Sequence, residues 1–310
     1  MNFEHTSVLL DECIKMLDIK PGGVYLDGTM GGAGHSAEIS KRLTDGILVG
    51  VDQDADAIEK SKNVLAQYGK RVRVVRANFA EVEYIAEQAG VVGFDGILLD
   101  LGVSSYQLDE PSRGFSYNND ALLDMRMDNR QNFSAHDVVN KYSEKELTRI
   151  ISEYSEERWA VRIAQFIVNE RLIKPIETTR ELGAVILKAV PKGARADGPH
   201  PAKRTFQAIR IEVNNELGIL EKAIKELALK LNSRGRICVI NFHSLEDRII
   251  KNVSRELSNP CICPRDFPVC VCEKKPSVKI ITRKPIIPSK VELERNHRAR
   301  SAKLRVAEKL

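Results

Sequence analysis

The order of apolar runs in this chain predicts an α/β fold: a mainly parallel, seven-stranded sheet with helices on both faces and a helical domain inserted into it. Three observations predict it. In the first third, short β-branched and leucine-rich runs alternate with helical segments. Between about 107 and 210 the strand signals stop and helix-start signals replace them. After 211 the strand signals return. The expected division is therefore a sheet domain of residues 1–106 and 211–310, interrupted by a helical substrate-recognition domain of residues 107–210.

The first strands are expected at Val24–Asp27, Leu48–Asp52, Val72–Arg76 and Gly96–Leu101, with helices at Ser36–Leu43, Ala55–Tyr68 and Val82–Ala89 between them. Residues 107–133 are irregular and rich in Asp, Asn and Arg. Ser134 can cap Ala135–Lys141, and Ser143 with Glu146 and Thr178 with Glu181 each form a capping-box pattern. Glu156–Leu172 is amphipathic, with Trp159, Ile163, Phe166 and Ile167 on one face. Pro175 and Pro191 punctuate the run. A single helix is expected over Pro201–Leu231, then a strand Arg236–Phe242 and a helix Ser244–Leu257 capped by Ser244 with Asp247 at its third position. Val278–Thr282 and Ala302–Ala307 read as a closing antiparallel pair.

Composition narrows the class. At 310 residues and 43% hydrophobic the chain can bury a core of its own. No run of eighteen apolar residues exists, so no membrane span is expected, and the charged N-terminus is unlike a signal peptide. A cytoplasmic location is the expectation. The net charge of +5 is unevenly spread: residues 274–310 hold twelve Lys/Arg against three Glu, and Lys188 to Arg210 holds six basic residues against one Asp. Basic segments on a near-neutral body fit a polyanionic partner such as nucleic acid, or a merely solvated face.

The chemistry concentrates in Tyr25 to Asp56. Gly32-Ala33-Gly34-His35-Ser36-Ala37 fits the G-x-G-x-x-A turn, whose glycines admit a ligand close to the backbone ahead of a helix N-terminus. Asp52 ends the second strand eighteen residues after Gly34, where a carboxylate can hold both hydroxyls of a ribose. An adenosine-containing cofactor follows. Asp27 precedes the turn, and a carboxylate there disfavours a pyrophosphate. It suits the ammonium and sulfonium of S-adenosylmethionine. Phe79, after the third strand, either covers an adenine or fills the core. Asp100, ending the fourth, is a cofactor ligand or a proton acceptor.

The acceptor is also constrained. Methylation of a pyrimidine ring carbon needs a cysteine nucleophile, but Gly102-Val103-Ser104-Ser105 follows Asp100. An exocyclic amine or hydroxyl fits better. An amine needs an acceptor for one N–H, so that its lone pair faces the methyl. Asn241 and His243, in Asn241-Phe242-His243-Ser244 after a buried strand, are candidates. Lys203, Arg204 and Phe206 suit a phosphate backbone with one stacked base. Asp124-Met125-Arg126-Met127-Asp128 either orders its loop through ion pairs or shapes the acceptor pocket.

Of six cysteines, Cys13 and Cys238 lie in apolar settings and read as core thiols. Cys261, Cys263, Cys270 and Cys272 form CICPRDFPVCVC, a cluster that holds either a structural zinc or reduced, redox-active thiols. C-x-C is tighter than the usual zinc spacing.

Over essentially its whole length the chain resembles the RsmH (MraW) family of bacterial methyltransferases acting on 16S rRNA. The resemblance is carried by His5 to Leu10, Asp27-Gly28-Thr29, Gly34-His35-Ser36, Leu98 to Ser105, Arg113 to Ser116, Leu123 to Asp128, Arg204 to Ala208, Phe242 to Arg248 and Arg298-Ala299-Arg300-Ser301. It implies a class I, Rossmann-like methyltransferase sheet and N4-methylation of one decoding-centre cytidine within the small ribosomal subunit, with S-adenosylmethionine as donor. It implies cofactor contacts at Ala33, Gly34, His35, Asp52, Phe79, Asp100 and Gln107. Lys203, Arg204, Arg298 and Arg300 are the RNA-binding candidates. The chain departs from many members at Ala33, where glycine is common, and the cysteine cluster is not a general family feature. Two other classes are kept in view: a nicotinamide-dependent oxidoreductase using the same turn, and a non-catalytic ribosome-assembly factor.

Overall fold

A computed structural model describes residues 7–195, 200–264 and 271–310. The chain divides into two compact units, Met1–Gly102 with Leu217–Leu310, and Val103–Glu216.

The first unit is the sheet. Its strands are β1 (Val24–Asp27), β2 (Ile47–Asp52), β3 (Val72–Arg76), β4 (Phe94–Asp100), β5 (Leu231–Asn241), β6 (Val278–Ile280) and β7 (Lys303–Lys309). They lie in the order β3-β2-β1-β4-β5-β7-β6. The first five are parallel, and β7 runs antiparallel to both β5 and β6. Chain order reverses between β1 and β4, so the ligand crevice of a doubly wound sheet is expected at their C-terminal ends.

Strand alternation divides the core into two faces. Leu26, Val49, Val51, Ile97, Leu99, Ile237 and Val239 pack on one side, and Tyr25, Leu48, Leu98, Cys238 and Ile240 on the other. Near-continuous apolar strands of this kind suit a sheet buried on both faces. Helix α1 (Leu10–Leu17) precedes β1, and α2 (Gly34–Arg42), α3 (Ala55–Leu65) and α4 (Val82–Ala89) intervene between the early strands. Cys13 and Cys238 are fully buried in the second face, as core thiols should be.

The second unit holds α5 (Ser105–Asp109), α6 (Ala135–Lys141), α7 (Glu144–Ser155), α8 (Ala160–Ile173), α9 (Thr179–Ala189) and α10 (Ala202–Asn214) around one apolar core. Ser143 with Glu146 and Thr178 with Glu181 form the expected capping boxes. The chain then returns through α11 (Glu216–Lys230) to the sheet, where α12 (Ser244–Ser258) and α13 (Lys290–Arg295) follow.

Two expectations change. The single helix over Pro201–Leu231 is two helices, because Asn215 adopts φ 49° and ends α10. Asn is one of the few residues that tolerates this left-handed cap. The cap of α12 is His243, not Ser244, and the carboxylate serving it is Glu246, not Asp247. Glu246 accepts the Phe242 and His243 N–H groups at 2.9 and 3.3 Å. The basic stretch 274–310 supplies β6 and β7, the closing antiparallel pair expected there. Among the described residues no helix is long and apolar enough to cross a membrane.

Candidate active site

Four neighbouring strands each end on a polar side chain. Asp52, Asp27, Asp100 and Asn241 are the last residues of β2, β1, β4 and β5, which lie side by side in that order. Parallel pairing puts all four at one edge, on either side of the reversal point.

Asp52 braces the glycine turn. Its Oδ2 accepts the Gly31 N–H at 2.8 Å and its Oδ1 the Asp54 N–H at 2.9 Å. Burial pushes its carboxyl up to about 6, and the backbone bonds from Asp54 and Gly31 oppose the rise. Asp27 is almost fully buried. Its Oδ2 accepts the Ser36 hydroxyl at 2.6 Å and its Oδ1 the Thr29 N–H at 3.3 Å, tying β1 to α2. Burial raises it too, to about 6. Thr29 in turn accepts the Asp100 N–H on its hydroxyl at 2.6 Å. Ser36 and Thr29 are positioning residues that sequence reasoning did not assign, although both lie in its motifs.

Asp100 differs from the other two acids. Its Oδ1 is shielded from solvent and has no hydrogen-bond partner. Burial, then the charges of Asp27 and Glu246, push it up to about 8. An acid left in this state favours an arriving cation, because pairing recovers what burial costs. Asn241 is fully buried, and its Nδ2 donates to the Lys303 carbonyl at 3.1 Å. A carbonyl only accepts, so this bond fixes which end of the amide faces it. The opposite atom, Oδ1, is buried without a partner. His243 has two buried ring nitrogens outside hydrogen-bond geometry, with Nε2 3.1 Å from Glu246 Oε1.

The turn itself is tight at two glycines. A Cβ on Gly34 would stand 1.9 Å from Ser7 Oγ, and one on Gly28 would meet Leu99 Cδ2 at 2.5 Å and Phe79 Cβ at 3.2 Å. Phe79 is therefore beside the β1 end and half-buried. Ala33 adopts φ 63°, a left-handed conformation that costs a non-glycine residue roughly 1–2 kcal/mol. His35 is buried with Nε2 3.1 Å from the Val8 carbonyl, so its ring serves the N-terminal segment. Contact with a ligand at Ala33 and Gly34 is then a matter of backbone.

The remaining candidates belong to other segments of the chain. Gln107 is in the helical unit, where its Oε1 accepts the Ser104 N–H at 2.9 Å and caps α5. Lys203 and Arg204 are exposed at the start of α10. Phe206 is not a base-stacking platform: it is 4% exposed and packs edge-on against Tyr117, which stacks on His200. Its helical position turns it into the core of that unit. In the Asp124–Asp128 loop, Arg126 pairs with Asp124 at 2.7 Å while Met125 and Met127 are buried, which favours loop ordering. Arg298 and Arg300 are exposed on a short 3-10 turn before β7. Cys261, Cys263 and Cys272 lie together between α12 and β6, and Cys270 falls outside the described residues.

The residues of this edge fit S-adenosylmethionine. An unpartnered acid suits its cationic end, and the Asp52 carboxylate retains lone pairs for ribose hydroxyls. Asp52→Ala is expected to weaken S-adenosylmethionine binding by about 1.5–3 kcal/mol through lost charged hydrogen bonds. Titration calorimetry checks this, and unchanged affinity would remove Asp52 from the site.

The model of the MraW methylase family matches residues 2–310. Curated relatives agree over the full length. Ribosomal RNA small subunit methyltransferase H of Clostridioides difficile (strain 630) is 61% identical over 311 residues, covering 100% of both chains. The protein of the same name from Ruminiclostridium cellulolyticum is 57% identical over 313 residues, again covering 100% of both. That from Lachnospira eligens is 56% identical over 311 residues, covering 100% of this chain and 99% of the relative.

Proposed function

The chain belongs to the MraW methylase family, and on that premise we propose that this S-adenosylmethionine-dependent methyltransferase acts on 16S rRNA of the small ribosomal subunit, at the N4 amine of one decoding-centre cytidine. The observation that carries the reading is the row of strand ends, in which Asp100 Oδ1 and Asn241 Oδ1 are both buried and unpaired. One suits a cation and the other an N–H donor.

The cofactor supplies an electrophilic methyl group on a sulfonium. Asp52 holds the ribose and the backbone of the glycine turn lines the cofactor. Asp100 faces its cationic end. Asn241 accepts one N4–H of the target base, which turns the nitrogen lone pair toward the methyl. His243 is the candidate to receive the proton that N4 loses. A cytosine must leave its stack to reach such an edge. The helical unit, through Lys203 and Arg204, contributes RNA backbone contacts.

The test is methyl transfer from labelled S-adenosylmethionine to small ribosomal subunits, naked 16S rRNA and DNA offered separately, with the modified base mapped. N4-methylcytidine in a ribosomal substrate supports the proposal. A methyl group on another base, or only on DNA, overturns it. Lys203→Ala with Arg204→Ala is expected to weaken RNA binding and lower the slope of log affinity against log salt by up to about 1–2, leaving cofactor affinity unchanged. An unchanged slope would place these cations away from the RNA.

A further inference from the structure

The connection from α12 to β6 leaves the sheet and returns to where it started. The Ser277 N–H donates to the Leu257 carbonyl at 2.9 Å, and the Ser277 hydroxyl reaches the same carbonyl at 3.4 Å. The described residues of this excursion contain no helix or strand. Their apolar side chains do not hold it together, since Ile262 is 71% and Val271 67% exposed. A long connection whose described residues supply no core needs another closure.

Cys261 and Cys263 lie on the outgoing limb and Cys272 on the returning one, and their three sulfurs all lie within 4.8 Å of one another. We propose that Cys261, Cys263 and Cys272 bind a zinc ion as three thiolates, and that this ion closes the α12–β6 connection. The inference is independent of the methyl-transfer reading.

The geometry favours a metal. Tetrahedral zinc with Zn–S bonds of about 2.3 Å separates its sulfurs by about 3.8 Å. Three sulfurs within 4.8 Å therefore need only a small contraction to form one face of that tetrahedron. A disulfide would instead bring two sulfurs to about 2.05 Å of one another. The Val271 N–H also donates to Cys263 Sγ at 3.4 Å. A backbone donor aimed at sulfur stabilises the thiolate, the form that ligates. All-sulfur ligation selects a soft or borderline ion and disfavours magnesium or calcium. The ligands come from both limbs, so binding also offsets the loop-closure entropy of the segment between them. Cys13 and Cys238 are unsuited to this role: both are buried in the sheet core, and burial pushes the Cys238 thiol up to about 12.

Elemental analysis of the full chain, purified without chelators under reducing conditions and dialysed, is expected to find stoichiometric zinc. Exchange with cobalt(II) should give thiolate-to-metal charge-transfer absorption and the visible bands of a tetrahedral ion. Cys261→Ser with Cys263→Ser should lose the metal and expose residues 259–264 and 271–277 to protease, while S-adenosylmethionine affinity stays unchanged. The wild-type chain failing to retain zinc or cobalt after reconstitution would overturn the proposal whether or not the variant folds. So would full retention of zinc by the double variant, or a stable disulfide between two of these cysteines in metal-free protein isolated without reductant.

Discussion

Asn241→Ala is expected to lower the methyl-transfer turnover by about 10²-fold or more, the range of a lost proton-handling contact, while S-adenosylmethionine affinity changes little. The expectation rests on an asymmetry within one side chain. Nδ2 is committed to the Lys303 carbonyl, and Oδ1 is buried with nothing to accept from. A buried unpaired carbonyl costs about 1–3 kcal/mol. An incoming amine N–H relieves that cost and fixes the nitrogen lone pair in the same event. Removing the amide should therefore affect the step in which the amine reacts more than the step in which the cofactor binds. Because Asn241 also joins β5 to Lys303 on β7, the variant must be checked by cofactor affinity and thermal unfolding. Asn241→Asp gives a second reading: it keeps the acceptor oxygen but sets a carboxylate against the Lys303 carbonyl. Normal turnover in a folded Asn241→Ala protein would remove this residue from the reaction.

The row of strand ends was largely legible in the chain. Asp27, Asp52 and Asp100 each close an apolar run, and a run that stops on a carboxylate marks where a buried strand meets the crevice. What the sequence could not show was which acids are already satisfied. Asp27 is held by Ser36 and Thr29, and Asp52 by two backbone N–H groups, whereas Asp100 Oδ1 is alone. That difference comes from tertiary contacts. The orientation of Asn241 depends in the same way on a carbonyl 62 residues downstream. Local patterns misled where two readings shared one composition. Phe206 beside Lys203 and Arg204 looks like a stacking surface, yet the helical period turns it inward against Tyr117. Ser244 looks like a cap, yet the Glu246 carboxylate reaches back past it to the backbone of Phe242 and His243. The break at Asn215 needed one left-handed residue in a run otherwise suited to a continuous helix.

The affinity for S-adenosylmethionine is expected to rise with pH, by up to about tenfold per unit between 6 and 8 in the limit of a single group. In the empty protein burial, with Asp27 and Glu246 nearby, holds Asp100 up at about 8. Near neutral pH it is mostly protonated, and a cationic cofactor must displace that proton. The displacement costs more as pH falls below 8. Below about 6, Asp27 and Asp52 add to the slope. Stability of the empty protein runs the other way. These three carboxyls are raised above their unfolded values, so their contribution is fully present below about 4 and is lost as pH rises through 6 to 8. The rise in melting temperature on adding cofactor should therefore grow with pH. Calorimetry in two buffers of different ionisation enthalpy would detect the released proton directly. Asp100→Asn should weaken binding and flatten the profile between 6 and 8, because the amide has no proton to give up and no charge to offer. A wild-type affinity that stays flat from pH 6 to 8, with no proton released, would mean that Asp100 does not face the cationic end of the cofactor.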